Sequence, residues 1–499
     1  MTTPASLAIF WFKRDLRLQD NAALALAAAQ GPILPLYIAE PELWQQPDTA
    51  ARQWEFVSET LQDLRADLAA AGQPLVVRVG EAVTVLETLR RAHGVTRMFS
   101  QQETGTGWTY ARDRTVAAWA RGSGVEWVEL PQGGVIRGLQ NRAGWSARRE
   151  RFLTSPPLPA PALVPLAGPE PGVIPTARSL RLTEDPCRHR QQGGRSRGIA
   201  LMESFLAGRH RGYRSGMAQP ALAERVCSRL SPHLAVGAIS AREVAAATAE
   251  ADRNSDLLSF ANRLRRRDLF LQRLEDAPEL DHRPLHPAFA SLLPTPLPTA
   301  RTAWEAGETG LPFVDACLRY LNATGWLGFR PRGMLVSVGC HLLGLDWREV
   351  GGLLARRFTD YEPGIHWSEV QIHAGVTGID ALRIADPVRL GRMLDGAGSF
   401  TRRWLPELAA VPDALLHEPW RWEGARSLLG RRYPEPVTDP AVATRAARAT
   451  FAQPRRQPGF AQVAEEISLR TPPARRPSGA TVRRAARPPA PEGQLSFDF

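Results

Sequence analysis

Lysine is almost missing from this 499-residue chain: of its 62 Lys and Arg residues, only Lys13 is a lysine. Cysteine is scarce as well, at four (Cys187, Cys227, Cys317 and Cys340), and none forms a C-x-x-C pair. Their long, irregular gaps exclude a zinc ribbon or a secreted disulfide framework. Buried free thiols in a reducing compartment, with no metal, are the expectation. No apolar run is long enough to span a bilayer. The short apolar opening meets Lys13-Arg14-Asp15 too early for a secretory signal. No G-x-G-x-x-G follows the first strand candidate, so a dinucleotide site of the Rossmann type is not expected in the first domain. Together these absences describe a cytoplasmic, monomeric protein without membrane contact.

What is present is a large positive excess, +11 at neutral pH, carried almost wholly by Arg. Guanidinium groups form paired hydrogen bonds with phosphate or carboxylate. A polyanion partner is therefore favoured, nucleic acid before membrane. A genome-wide compositional bias produces the same excess, so charge alone does not decide the partner.

Residues 1–130 alternate strand and helix signals. Leu7–Phe12, Ile33–Ile38, Leu75–Val79, Arg97–Ser100 and Val125–Leu130 are short apolar runs, and helical stretches such as Arg52–Ala71 separate them. That order predicts a parallel sheet covered on both faces, a Rossmann-like α/β domain. Residues 131–198 are rich in Pro and Gly and read as a connector over a surface. Residues 199–435 carry helical patterns (Ala241–Ala251, Leu257–Leu274, Phe313–Asn322, Val350–Phe358) and almost no strand signal, which predicts an all-α domain. Residues 436–499 read as a disordered basic tail, with eight Arg and eight Pro between positions 453 and 499.

Several segments in this order resemble one family. Phe10-Trp11-Phe12-Lys13-Arg14-Asp15-Leu16-Arg17 with Asp20-Asn21, then Ser228-Arg229-Leu230-Ser231-Pro232-His233-Leu234, are similar to photolyases and cryptochromes. So are Thr309-Gly310-x-Pro312, Thr324-Gly325-Trp326, Asp346-Trp347-Arg348, Phe400-x-Arg402-x-Trp404 and Glu418-Pro419-Trp420. The resemblance implies a helical FAD-binding domain after the α/β domain. It implies that Ser228, Arg229, Leu230 and Ser231, joined by Tyr213 and Arg267, hold the flavin's diphosphate. It further implies that Asp360-Tyr361-Glu362 contacts the ring and ribityl portion, with Arg332 paired to Asp360. A light-driven function follows from it: repair of UV-damaged DNA, by splitting pyrimidine dimers with an electron from excited reduced FAD, or cryptochrome-type light sensing without repair. An antenna chromophore, folate or deazaflavin, often accompanies the family, but the Gln101–Gly105 segment departs from the folate pattern.

Other positions depart too. His366 stands where dimer-repairing members carry an Asn near the flavin's N5; it is a candidate tuner of flavin protonation whose charge changes near neutral pH, or a packed core histidine. The resemblance makes Trp347 the middle of the family's three-tryptophan electron path. Val370 stands at the proximal position, and the outer position falls near Pro294. Trp304, Trp326 and Trp367 offer another route or are core aromatics. In the lesion pocket a family Glu, Trp, Asn and Trp are replaced by Arg263, Arg266, Phe329 and Ile372. Arg263, Arg265, Arg266 and Arg267, with Arg330, hold DNA phosphates or form a solvated face. Finally, Gln494-Leu495-Ser496-Phe497-Asp498-Phe499 resembles the peptide by which bacterial repair proteins dock on the replication sliding clamp, with Gln494, Leu495, Phe497 and Phe499 as the anchors.

Overall fold

The computed structural model describes residues 7–166, 168–252, 254–292 and 295–471. Gln494, Leu495, Phe497 and Phe499 lie outside the described residues, as does Pro294.

Five strands, β1 (Ala8–Phe12), β2 (Ile33–Ala39), β3 (Val76–Val79), β4 (Arg97–Gln101) and β5 (Glu126–Leu130), form one parallel sheet in the order β3-β2-β1-β4-β5. Every side chain of β1 and β2 is buried, as a sheet covered on both faces requires. Pro35 sits inside β2 without breaking the sheet. It precedes the first β2–β3 pair, Leu36 with Val76, so its missing N–H costs no bond on that side. Asn21 caps the helix Ala22–Ala29 by accepting from the Leu24 N–H at 3.0 Å.

Residues 199–435 are helical, as expected, around a core that includes Trp304, Trp347 and Trp367. The connector is more structured than its Pro and Gly content implies. It contains a helix, Trp145–Thr154, anchored by Trp145, whose indole donates to the Gly134 carbonyl at 3.1 Å. Of the expected tail, residues 472–499 lie outside the described residues, and the described part, 436–471, is more structured than expected. Residues Pro440–Ala452 and Phe460–Arg470 are helices. Two aromatic anchors explain this: Phe451 meets the His341 ring edge-on, and Phe460 stacks on His286 with centroids 3.9 Å apart.

The opening segment of the chain joins the two domains. Arg14 donates to the Ala235 carbonyl at 2.8 Å, and Arg17 to the Gly237 carbonyl at 2.9 Å. Asp20, held at φ 51°, accepts from Ser240 and from the Arg242 guanidinium. Arg52, almost wholly buried, pairs with Asp185 at 2.6 Å and donates to the Arg357 carbonyl. Gly237 is required where the backbones cross. Its φ is +71°, and a Cβ there would lie 2.1 Å from the Arg14 carbonyl oxygen.

Gly237→Ala is therefore expected to cost more than the ~1–2 kcal/mol of a left-handed L-residue, because the overlap adds to it. The check is urea unfolding followed by tryptophan fluorescence; an unchanged midpoint would contradict this account of the domain contact.

Candidate flavin site

The carboxyl edge of a doubly wound sheet is where its ligands usually bind. In this chain that edge carries a buried ion-pair network. Arg112 bonds Glu40 at 2.8 Å and Glu103 at 2.6 Å, while Lys13 pairs with Asp113 and Glu129. A cavity lies in the helical half. It has a volume of about 1230 Å³, above the ~300–1,000 Å³ of sites for drug-sized ligands.

Three helices and one turn carry most of the candidate side chains on its wall. On the helix Ser255–Asp276, residues three and four apart share a face. Arg263, Arg266 and Arg267 accordingly line the cavity, whereas Arg265 points to Glu150 of the connector helix at 2.9 Å. The helix Phe329–Ser337 brings Phe329, Arg330 and Arg332. The helix Pro363–Ala374 and the segment before it bring Asp360, Tyr361, Glu362, His366 and Val370. Ser228, Arg229 and Ser231 come from the turn ahead of the short helix Ser231–Ala235, and Tyr213 closes that end. Leu230 does not line the cavity; it is 1% exposed in an apolar cluster with Phe205 and Tyr213.

Each guanidinium at the inner wall is held. Arg229 adopts φ 62°, a left-handed geometry unusual for a side-chain-bearing residue. Its guanidinium lies 4.0 Å from the centroid of Trp326. Arg267 bonds Glu362 at 2.5 Å and the Leu234 carbonyl at 3.1 Å. Arg332 bonds Asp360 at 2.7 Å and the Leu327 carbonyl at 2.7 Å, above the ring of Phe358. Arg14 of the first domain reaches the same wall, donating to the Tyr361 carbonyl at 3.1 Å.

The cavity lining combines the hydroxyls of Ser228 and Ser231 and the Arg229 guanidinium, which suit phosphate oxygens, with the Asp360 and Glu362 carboxylates, which suit N–H or hydroxyl groups. The donor set thus fits a flavin dinucleotide.

His366 differs from its expected behaviour. Its Nε2 lies 2.8 Å from the Gly351 carbonyl, which can only accept, so Nε2 carries the proton and Nδ1 is an acceptor. Burial pushes its pKa down to about 4. The ring is thus neutral near pH 7, and the expectation of a charge change there is corrected. Trp347 stands behind the wall, edge-on to Trp367 with centroids 6.3 Å apart. Trp326 lines the cavity, and Trp304 lies in the core at 2% exposure. Sequence reasoning missed Asp48, Arg14 and Phe358. Arg14 belongs to the opening motif, but nothing in that motif shows which carbonyls it will meet across the domain boundary.

The sequence profile described as DNA photolyase matches residues 8–137, and that of the FAD binding domain of DNA photolyase matches residues 260–453. The cryptochrome DASH of Natronomonas pharaonis is 31% identical over 469 residues, covering 87% of this chain and 98% of that one. The deoxyribodipyrimidine photo-lyase of Escherichia coli is 29% identical over 462 residues, covering 86% and 95%. The crystal structure of a class III photolyase from Agrobacterium tumefaciens superposes with a TM-score of 0.81 at 26% identity, covering 92% of this chain and 99% of that one. With matching profiles in both halves, and relatives aligned along nearly their whole length, the chain belongs to the photolyase/cryptochrome family.

Proposed function

We propose that the protein is a deoxyribodipyrimidine photo-lyase, a blue-light-dependent DNA repair enzyme with FAD in the helical cavity. The observation that carries this reading is the arginine-lined cavity, in which the Arg229, Arg267 and Arg332 guanidiniums are individually tethered. Ser228, Arg229 and Ser231, joined by Tyr213 and Arg267, would hold the diphosphate, and Asp360, Tyr361 and Glu362, with Arg332 paired to Asp360, would flank the ring and ribityl part. Bound and reduced, the flavin supplies a photoexcitable one-electron donor. The residues around it exclude water and fix charge: Arg332 places a positive group beside the ring, which favours an anionic reduced form.

Arg263, Arg266, Phe329 and Arg330 line the same cavity. The Arg263 guanidinium lies 5.2 Å from the Phe329 ring centroid. This combination suits a flipped-out pyrimidine dimer with its flanking phosphates: cations for the backbone, an aromatic face for the bases. The second reading is a cryptochrome-type photoreceptor. It draws support from the same cavity, where arginines and Phe329 replace the family's dimer-contacting residues. The resemblance of Gln494–Phe499 to a clamp-docking peptide supports docking on a replication clamp; a truncation lacking these residues should lose clamp affinity, and unchanged affinity would overturn that reading.

Three outcomes follow. Chemically reduced, flavin-loaded protein under blue light should remove cyclobutane dimers from irradiated DNA; tight flavin binding with no dimer loss would favour the photoreceptor. An Arg263→Gln/Arg266→Gln variant should weaken DNA binding across sequences and flatten the slope of log affinity against log salt by about 0.9 per lost phosphate contact. An unchanged slope would remove those arginines from the interface. Finally, His233, His341 and His366 all have folded pKa values near 4, below the ordinary 6.5, because burial disfavours their charged form. The unfolded chain takes up these protons first, so stability is full above about pH 6.5 and falls as pH drops towards 4. Each histidine contributes up to about 1.4 kcal/mol per pH unit, less for His366, which borders the cavity. In flavin-free protein, His366→Asn should make the urea midpoint less sensitive to pH between 6.5 and 4.

A further inference from the structure

Val370 on the cavity wall is aliphatic and cannot be oxidised, yet an oxidisable side chain stands close by on the same wall. Tyr361 lines the cavity between Asp360 and Glu362. Its hydroxyl donates to Oδ2 of Asp48, which comes from the first domain 313 residues away in the chain. The same oxygen accepts from Nε1 of Trp367 at 2.9 Å. The phenol is therefore oriented from both sides, with its O–H directed at a carboxylate. Asp48 is 8% exposed, so little water competes for that bond.

We propose that Tyr361 is the residue oxidised when light reduces a flavin in this cavity, with Asp48 as the acceptor of its phenolic proton. This rests on the flavin reading given above. The step balances: one electron leaves the phenol for photoexcited oxidised flavin, the O–H bond breaks, and an O–H bond forms on Asp48. A neutral tyrosyl radical and a protonated Asp48 result. The radical returns to tyrosine by taking one electron from an external thiolate, which becomes a thiyl radical, and recovering its proton from Asp48.

The surroundings suit each part of this step. Burial and the Asp48 carboxylate hold the Tyr361 phenol well above its usual pKa, so the resting side chain is protonated. Burial also raises Asp48, so a proton delivered there is retained. The Trp367 N–H still donates to the oxygen after the proton has left, which stabilises the radical and keeps it from drifting. Trp367 contacts His366 edge-on at 5.2 Å and Trp347 at 6.3 Å. Trp347 in turn lies 4.7 Å under the guanidinium of Arg348, which is 30% exposed. That aromatic pair offers an inward path for the reductant's electron.

The test uses full-length, flavin-loaded protein in the oxidised state, illuminated with blue light and read by electron paramagnetic resonance and transient absorption. The wild type should give a neutral tyrosyl radical whose formation slows in D2O. Tyr361→Phe should abolish that signal at equal flavin content. Asp48→Asn keeps the phenol but removes the base, and should slow radical formation by about 100-fold, the lower end for a positioned base. Tyr433→Phe removes a second buried tyrosine–aspartate bond, to Asp315, that lies away from the cavity; it should leave the radical intact. A wild type that forms only a tryptophanyl radical, or a Tyr361→Phe variant with an unchanged tyrosyl signal, overturns the proposal while leaving the flavin reading in place. A wild type that takes up no flavin overturns both.

Discussion

Guanidinium groups gathered around one cavity repel each other and lose hydration, and the whole site depends on how that cost is met. Three partners of two kinds meet it. Arg332 has a carboxylate, Asp360, beneath it, and Arg267 has Glu362. Arg229 has a tryptophan face. A buried pair missing one member is far more costly than an intact pair, so the acidic segment 360–362 and the arginines constrain one another's positions.

The wall is not the property of one domain. Arg14 reaches the Tyr361 carbonyl and the Glu362 carboxylate, and Asp48 holds the Tyr361 hydroxyl. Both come from the sheet half. The close crossing at Gly237 makes these contacts possible, because any side chain there would push the Arg14 backbone away. A change in how the halves dock would therefore be felt at the cavity wall, which couples fold stability to the chemistry of the site.

Much of this was legible in the residues. β1 and β2 announce themselves because a strand buried on both faces must be apolar throughout, and the Ser228–Leu234 segment carries enough of the family pattern to place the cavity. Other features were not. Arg17 and Asp20 look like ordinary charged residues in a loop, and only the folded chain shows that both are buried against carbonyls and hydroxyls of the other half. The helices at 440–452 and 460–470 were hidden because composition counts Arg and Pro, whereas Phe451 and Phe460 act through what they happen to meet. His366 reads as a switch from its ordinary pKa, but burial disfavours its charged form and the Gly351 carbonyl fixes which ring nitrogen carries the proton.

Kinship with photolyases and with a cryptochrome DASH at similar identity leaves the central physical claim prior to either activity: a cationic wall in the helical half clasps a flavin dinucleotide. Titrating flavin-free protein with FAD, FMN and riboflavin at several salt concentrations tests it most directly. The account predicts that FAD binds tightest and that its advantage shrinks as salt rises, because the diphosphate meets arginine. Equal affinities for the three flavins, indifferent to salt, would contradict it.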